Sequence, residues 1–189
     1  MARPREFDRD RALDAAMVAF WEHGGYEQTS IAQLTKAMGI GSPSLYAAFG
    51  SKRDLYTEAV ERYAQRPGTP LTLALAEPTA HAFARCLLEA AILDCTKKGQ
   101  PKGCLVNTDP LLVDRRDGGR NVIAARLVRA KAEGDLSATT DPDTLAEFLI
   151  IVINGLSTRA RDGASRRDLR AVAATVVGSM FPDVPDKSP

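Results

Sequence analysis

Residues 29–52 constrain this chain more than any other stretch. They read Thr-Ser-Ile-Ala-Gln-Leu-Thr-Lys-Ala-Met-Gly-Ile-Gly-Ser-Pro-Ser-Leu-Tyr-Ala-Ala-Phe-Gly-Ser-Lys. Ser30 and Gln33 stand at capping-box spacing, which starts a short helix. Ile31, Leu34 and Met38 give that helix one apolar face. Gly39 supplies a sharp turn. Ser42 is placed to cap a second helix, with Pro43 at its first position, where a missing N–H costs nothing. Leu45 and Phe49, four apart, bury the inner side of the second helix. Its outer side carries Ser44, Ala47 and Ala48, with Tyr46 beside them. Such a pair is either an αα-hairpin that merely packs or a helix-turn-helix whose second helix lies in a DNA major groove. Caps, turn chemistry and the small polar outer face agree on the second.

The next residues, Gly50-Ser51-Lys52-Arg53-Asp54-Leu55-Tyr56, extend the pattern. Through Thr29-Ser30-Ile31-Ala32, Gly39-Ile40, Ser44-Leu45-Tyr46, Phe49 and Ser51-Lys52-Arg53-Asp54-Leu55, the chain resembles the TetR/AcrR family of one-component transcriptional regulators. The resemblance covers residues 5–63. It implies an all-α fold. An N-terminal three-helix DNA-binding domain, residues 1–66, contains the helix-turn-helix, and a fourth helix bridges onward. A C-terminal helical ligand-binding and dimerisation domain, residues 67–189, follows. For this second part the resemblance implies architecture but no particular ligand.

Composition permits this reading. The 189 residues are 44% hydrophobic and 26% charged, an ordinary globular mix. The longest apolar run, Phe148–Ile153, is far too short to span a membrane. The N-terminus has no signal-peptide core, so a cytoplasmic protein is expected. Three cysteines, an odd number, fit reduced thiols rather than a disulfide framework. Net charge is +1, and residues 1–66 hold nine basic and nine acidic side chains. The cations cluster at an N-terminal arm (Arg3, Arg5, Arg9, Arg11) and near the turn (Lys36, Lys52, Arg53). A site with few phosphate contacts per subunit, relying on dimerisation for affinity, is expected.

Outside the helix-turn-helix, Asp8 is placed to cap a first helix over 9–23, which Gly24-Gly25 ends. His23 reads as a partner of that helix's C-terminal dipole. A fourth helix runs from Ser51 or Lys52 to Ala64. Arg66-Pro67-Gly68-Thr69-Pro70 is the composition break between domains. Further helices are expected near 71–76, from Pro78-Thr79 to Lys97, near 104–107, up to Ala132 with Gly118-Gly119 interrupting or opening it, from Asp141 to Arg161, and from Ser165 to Phe181. The tail 182–189 reads as disordered.

The last two helices carry long apolar faces. Leu149, Val152 and Leu156, with Val172, Val176 and Met180, are expected at an isologous homodimer contact, because Phe148–Ile153 is apolar all round. Gly155 and Gly178 permit close approach. The alternative is an ordinary intrachain core.

Catalytic chemistry is scarce. Only His23 and His81 are present, and no zinc-protease, C-x-x-C, dinucleotide or Walker pattern appears. No catalytic residue, metal site or cofactor is expected. In the second domain, Gly103-Cys104-Leu105 puts a thiol at a helix start near Lys97, Lys98 and Lys102, which lowers a thiol pKa. Similar Gly-Cys-Leu settings occur in family members that respond to electrophiles, and also in others where the cysteine is a small buried residue. Cys86 and Cys95 read as core. Asn107, Asp109, Arg126 and Asn154 are polar residues within apolar helices and are candidates for an effector pocket, unless protein groups satisfy them.

The sequence thus predicts a dimeric repressor on a palindromic double-stranded DNA operator, released by a small molecule. Ser42, Pro43 and Ser44 would face base edges, while Ser30, Tyr46 and Lys52 would hold phosphates. The alternative is a redox or electrophile sensor acting through Cys104.

Overall fold

The computed structural model describes residues 7–181. They form helices and turns, with no strand among the described residues. The chain divides into two compact units. The first runs to Pro67 and also includes Thr108–Leu111. The second comprises Gly68–Asn107 and the chain from Leu112 onward. Arg3, Arg5 and the tail 182–189 lie outside the described residues.

The first unit contains α1 (Arg9–His23), α2 (Ile31–Met38), α3 (Ser42–Phe49) and α4 (Lys52–Ala64). The Asp8 carboxylate caps α1 by accepting the Asp10 and Arg11 N–H groups, and left-handed Gly24 ends it. The apolar side of α1, including Leu13, Ala16, Phe20 and Trp21, is buried. It meets Leu34 and Met38 of α2 and Leu55, Tyr56, Ala59 and Tyr63 of α4, all of them buried too. Ring edges fix the register: Phe20 meets Tyr56 and Trp21 meets Tyr63, each pair 5.1 Å between centroids. Two details differ from expectation. Gly41, not Ser42, is the N-cap of α3, so no side chain caps that helix and Ser42 is its first helical residue. Arg9 is the first residue of α1 rather than part of an arm that precedes it. Its guanidinium donates to Glu58 and the Ala48 carbonyl and lies 4.4 Å above the Phe49 ring, bracing α3 and α4.

The second unit contains α5 (Pro70–Ala74), α6 (Ala80–Cys95), most of the one-turn α7 (Leu105–Thr108), α8 (Val113–Ala132), α9 (Pro142–Arg161) and α10 (Arg166–Met180). Thr79, Asp141 and Ser165 cap α6, α9 and α10 through side-chain oxygens. Phe83, Leu87, Leu88 and Ile92 of α6 form the centre of its core, with Ile123 and Leu127 of α8 and Leu169 and Val177 of α10 around them. Helix α8 passes straight through Gly118-Gly119, which neither interrupt nor open it. A Cβ at either glycine would meet nothing within 4 Å. In a helix interior each costs about 1 kcal/mol relative to alanine.

Leu149 and Leu156, expected at the dimer contact, belong instead to the chain's own core, at 0% and 3% exposure. The apolar side chains that α9 and α10 leave open are Phe148, Ile151 and Val172, at 41%, 60% and 51% exposure. Val152, Val176 and Met180 are half-buried and pack against the chain's own core. Leu149 and Leu156 are seven apart and share one side of α9. Ile151 is two residues along from Leu149, about 200° round the helix, and so points away.

Candidate nucleic-acid interface

The helix-turn-helix is held by its own caps. The Ser30 hydroxyl accepts the Gln33 N–H at 3.2 Å, and the Gln33 side-chain carbonyl accepts the Ser30 N–H at 2.7 Å. Gly39, left-handed, then turns the chain into α3. In α3, Leu45 and Phe49 are buried, while Ser42, Pro43, Ser44, Tyr46 and Ala47 are exposed. The face foreseen for base edges is thus presented on a helix whose inner side is locked. The Ser30 hydroxyl also donates to Gln33 Oε1, so donation to a phosphate would replace that bond.

Ser51 repeats the device for α4. Its hydroxyl accepts the Asp54 N–H, and the Asp54 carboxylate accepts the Ser51 N–H at 3.0 Å. Lys52 and Arg53 therefore emerge at the first turn of α4, one residue beyond the end of the α3–α4 turn. Lys52 is half-buried, because its ammonium lies 4.3 Å from the centre of the Tyr26 ring. The Arg53 guanidinium lies 4.8 Å from the same ring. One aromatic ring thus holds two cations beside the recognition helix. Nothing in the sequence reading placed Tyr26 at the interface. The Gly24-Gly25-Tyr26 run after α1 was the available signal.

The pocket candidates separate. Asp109 is withdrawn from the effector set. It belongs to the first unit, where its carboxylate accepts the Tyr26 N–H at 2.7 Å and the Tyr56 hydroxyl at 2.6 Å. Asn107 and Asn154 stay half-buried in the second unit. Arg126 is 3% exposed there. Its Nη2 donates to the Glu77 and Pro78 carbonyls, while Nε and Nη1 find no partner among the described residues. No hydrogen bond joins Asn107, Arg126 and Asn154 to one another among the described residues.

The Cys104 surroundings read as packing. Gly103 has φ +78°, and a Cβ there would lie 2.5 Å from the Arg161 stem. The Cys104 N–H donates to Ser157 Oγ at 2.9 Å, and Leu105 is fully buried. Lys102, the nearest of the expected cations in sequence, donates to the Thr96 and Lys97 carbonyls. These contacts give Gly103 and Leu105 structural roles, and Cys104 itself is a half-buried thiol. Burial, with the Glu77 carboxylate adding to it, pushes the Cys86 thiol up, away from thiolate. No disulfide joins the three cysteines.

Residues 12–59 match the family described as bacterial regulatory proteins, tetR family. The HTH-type transcriptional repressor ComR of Escherichia coli (strain K12) is 38% identical, over 93% of this chain and 90% of its own length. The chain belongs to the TetR family. A second relative, the HTH-type transcriptional repressor BdcR of the same strain, is 33% identical over 91% of this chain and 88% of its own length. The TetR-family fold is also that of a solved structure, a cysteine-substituted CifR in complex with 26-base-pair double-strand operator DNA. That chain is 39% identical with a TM-score of 0.85, over 93% of this chain and 98% of its own.

Proposed function

We propose that this TetR-family chain is a homodimeric transcriptional repressor that binds a palindromic operator and leaves it when a small molecule occupies the second unit. The observation that carries this is α3, whose outer residues Ser42, Pro43, Ser44 and Tyr46 stand exposed while Leu45 and Phe49 lock its inner side. Two such helices, one per protomer, read successive major grooves. Lys52 and Tyr46 hold phosphates that fix register. The operator complex of CifR and the repressor relatives support the reading. Protomers meet through the open face of α9 and α10, centred on Phe148, Ile151 and Val172 and flanked by Val152, Val176 and Met180. Exposed large apolar side chains gathered on one face are the usual mark of such a contact. The protein acts in the cytoplasm. No described helix is long and apolar enough to cross a membrane.

The effector shifts the population only if it binds the DNA-free state better. Arg126 supports an effector with an anionic or strongly accepting group, since its buried Nε and Nη1 lack partners. Asn107 and Asn154 are the other polar groups kept for this pocket. The chain carries no enzymatic role in this reading.

Fluorescence anisotropy tests the proposal, with a duplex from the DNA preceding the protein's own gene and an unrelated duplex of equal length. The first should bind at least about 10³-fold tighter. Equal affinity for both would overturn operator recognition.

A further inference from the structure

Asp109 is a carboxylate at 2% exposure inside the DNA-binding unit. Oδ2 accepts the Tyr26 N–H at 2.7 Å and the Tyr56 hydroxyl at 2.6 Å, while Oδ1 accepts the Leu111 N–H at 2.9 Å. A side chain at Gly25 would collide with it: a Cβ there would lie 2.0 Å from Oδ2, and φ is +106°. The loop after α1 is therefore shaped around this one carboxylate. The rings it holds are packed on each other, with Tyr26 and Tyr56 5.2 Å apart. Lys52 and Arg53 stand on the Tyr26 ring, 4.3 and 4.8 Å from its centre.

We propose that Asp109 is a positioning residue for DNA binding: by fixing Tyr26 and Tyr56 it sets where Lys52 and Arg53 present their charges to the phosphates beside α3. The inference rests on the DNA-binding role proposed above. Nothing in the helix-turn-helix itself requires a residue 83 positions beyond Tyr26. A bare packing role is a poor account of the site, because a buried carboxylate is costly unless it is fully hydrogen-bonded. The carboxylate also has an unusual tether. Thr108–Leu111 is entered from Asn107 and left through Leu112, both residues of the second unit.

The test measures wild type, Asp109→Ala, Tyr56→Phe, Lys52→Ala and the Asp109→Ala/Lys52→Ala double variant. The probes are the upstream duplex and the unrelated duplex, titrated over a salt series. Asp109→Ala should lose about ten-fold in affinity on both duplexes alike and reduce the salt slope by about one. Added to Lys52→Ala, it should cost little more, because the two act on the same phosphate contact. Tyr56→Phe removes one hydrogen bond without changing shape. It keeps the experiment decisive if Asp109→Ala does not fold, and should show the same loss at about two- to five-fold. Wild-type affinity and salt slope in a folded Asp109→Ala or Tyr56→Phe, or full additivity with Lys52→Ala, would overturn the proposal. If wild type binds neither duplex, the DNA-binding role falls first and the positioning role with it. A loss confined to the upstream duplex would also sink it, by showing that Asp109 acts on base reading.

Discussion

Ser44 lies in α3 and Lys52 opens α4, and the two differ in proposed purpose. Ser44 is exposed on the outer face of α3, and in the proposed docking its hydroxyl faces base edges. Ser44→Ala should therefore change the order of preference among operator variants while leaving unrelated DNA bound as before. Lys52→Ala should weaken both kinds of DNA and reduce the salt slope by about one. Competition anisotropy across a salt series separates the two, and an unchanged slope for Lys52→Ala would remove Lys52 from the phosphates. Arg126 offers a different contrast. A buried cation without an ion-pair partner is costly, and replacement by an apolar side chain of similar length is often neutral or stabilising. Arg126→Met should keep or raise the melting temperature and leave operator binding intact, yet abolish release by the effector. A variant that unfolds would show instead that its bonds to the Glu77 and Pro78 carbonyls are indispensable.

At the scale of the element, the caps are the parts most open to measurement. Ser30→Ala deletes the hydroxyl half of the α2 capping box and should lower stability by about 1 kcal/mol, read by chemical denaturation. The loss of cap should also fray the helix on which α3 is set, so operator binding should weaken with it. Asp141 at the start of α9 gives a pH signature. Its carboxyl lies below the ordinary range, held there by hydrogen bonds first from the Thr144 hydroxyl and then from the Thr144 N–H. A depressed folded-state pKa means that the contribution is present above the unfolded value and lost as pH falls through the folded one. Melting temperatures should thus show an acid-limb loss that is smaller in Asp141→Asn, which keeps a capping oxygen but cannot titrate. An identical acid limb in both would show that this cap plays no part in acid sensitivity.

For the whole molecule, the proposed dimer contact on α9 and α10 is the surface to test. Ile151 is 60% exposed in the single chain, so Ile151→Arg should leave the monomer folded. Burying that charge against a partner is very costly, so the variant should sediment as a monomer and lose most operator affinity. Leu149→Arg should behave differently, because Leu149 lies wholly inside the chain's own core and the charge would unfold the unit itself. A wild-type protein that sediments as a monomer at micromolar concentration would defeat the assembly, whatever the variants do.

The order and type of the main helices, the capping box at Ser30, the start of α4 at Ser51 or Lys52, the turn at Gly39 and the family were legible in the chain alone. Each depends on residues within a few positions of one another, where spacing already determines geometry. Side-chain direction in α9 was not: Leu149 and Ile151 are equally apolar, and only the packing of α6, α8 and α10 decides which one is buried. The N-cap of α3 moved by one residue for a related reason, since glycine and serine both suit that position and the local sequence does not choose between them. Asp109 was recognised as a polar group needing partners, but its partners lie 83 and 53 residues away. No periodicity links residues so distant. Only the tertiary structure brings a carboxylate from between two residues of the second unit into the loop after α1, where the hydrogen-bonding demands of a buried charge give it a place.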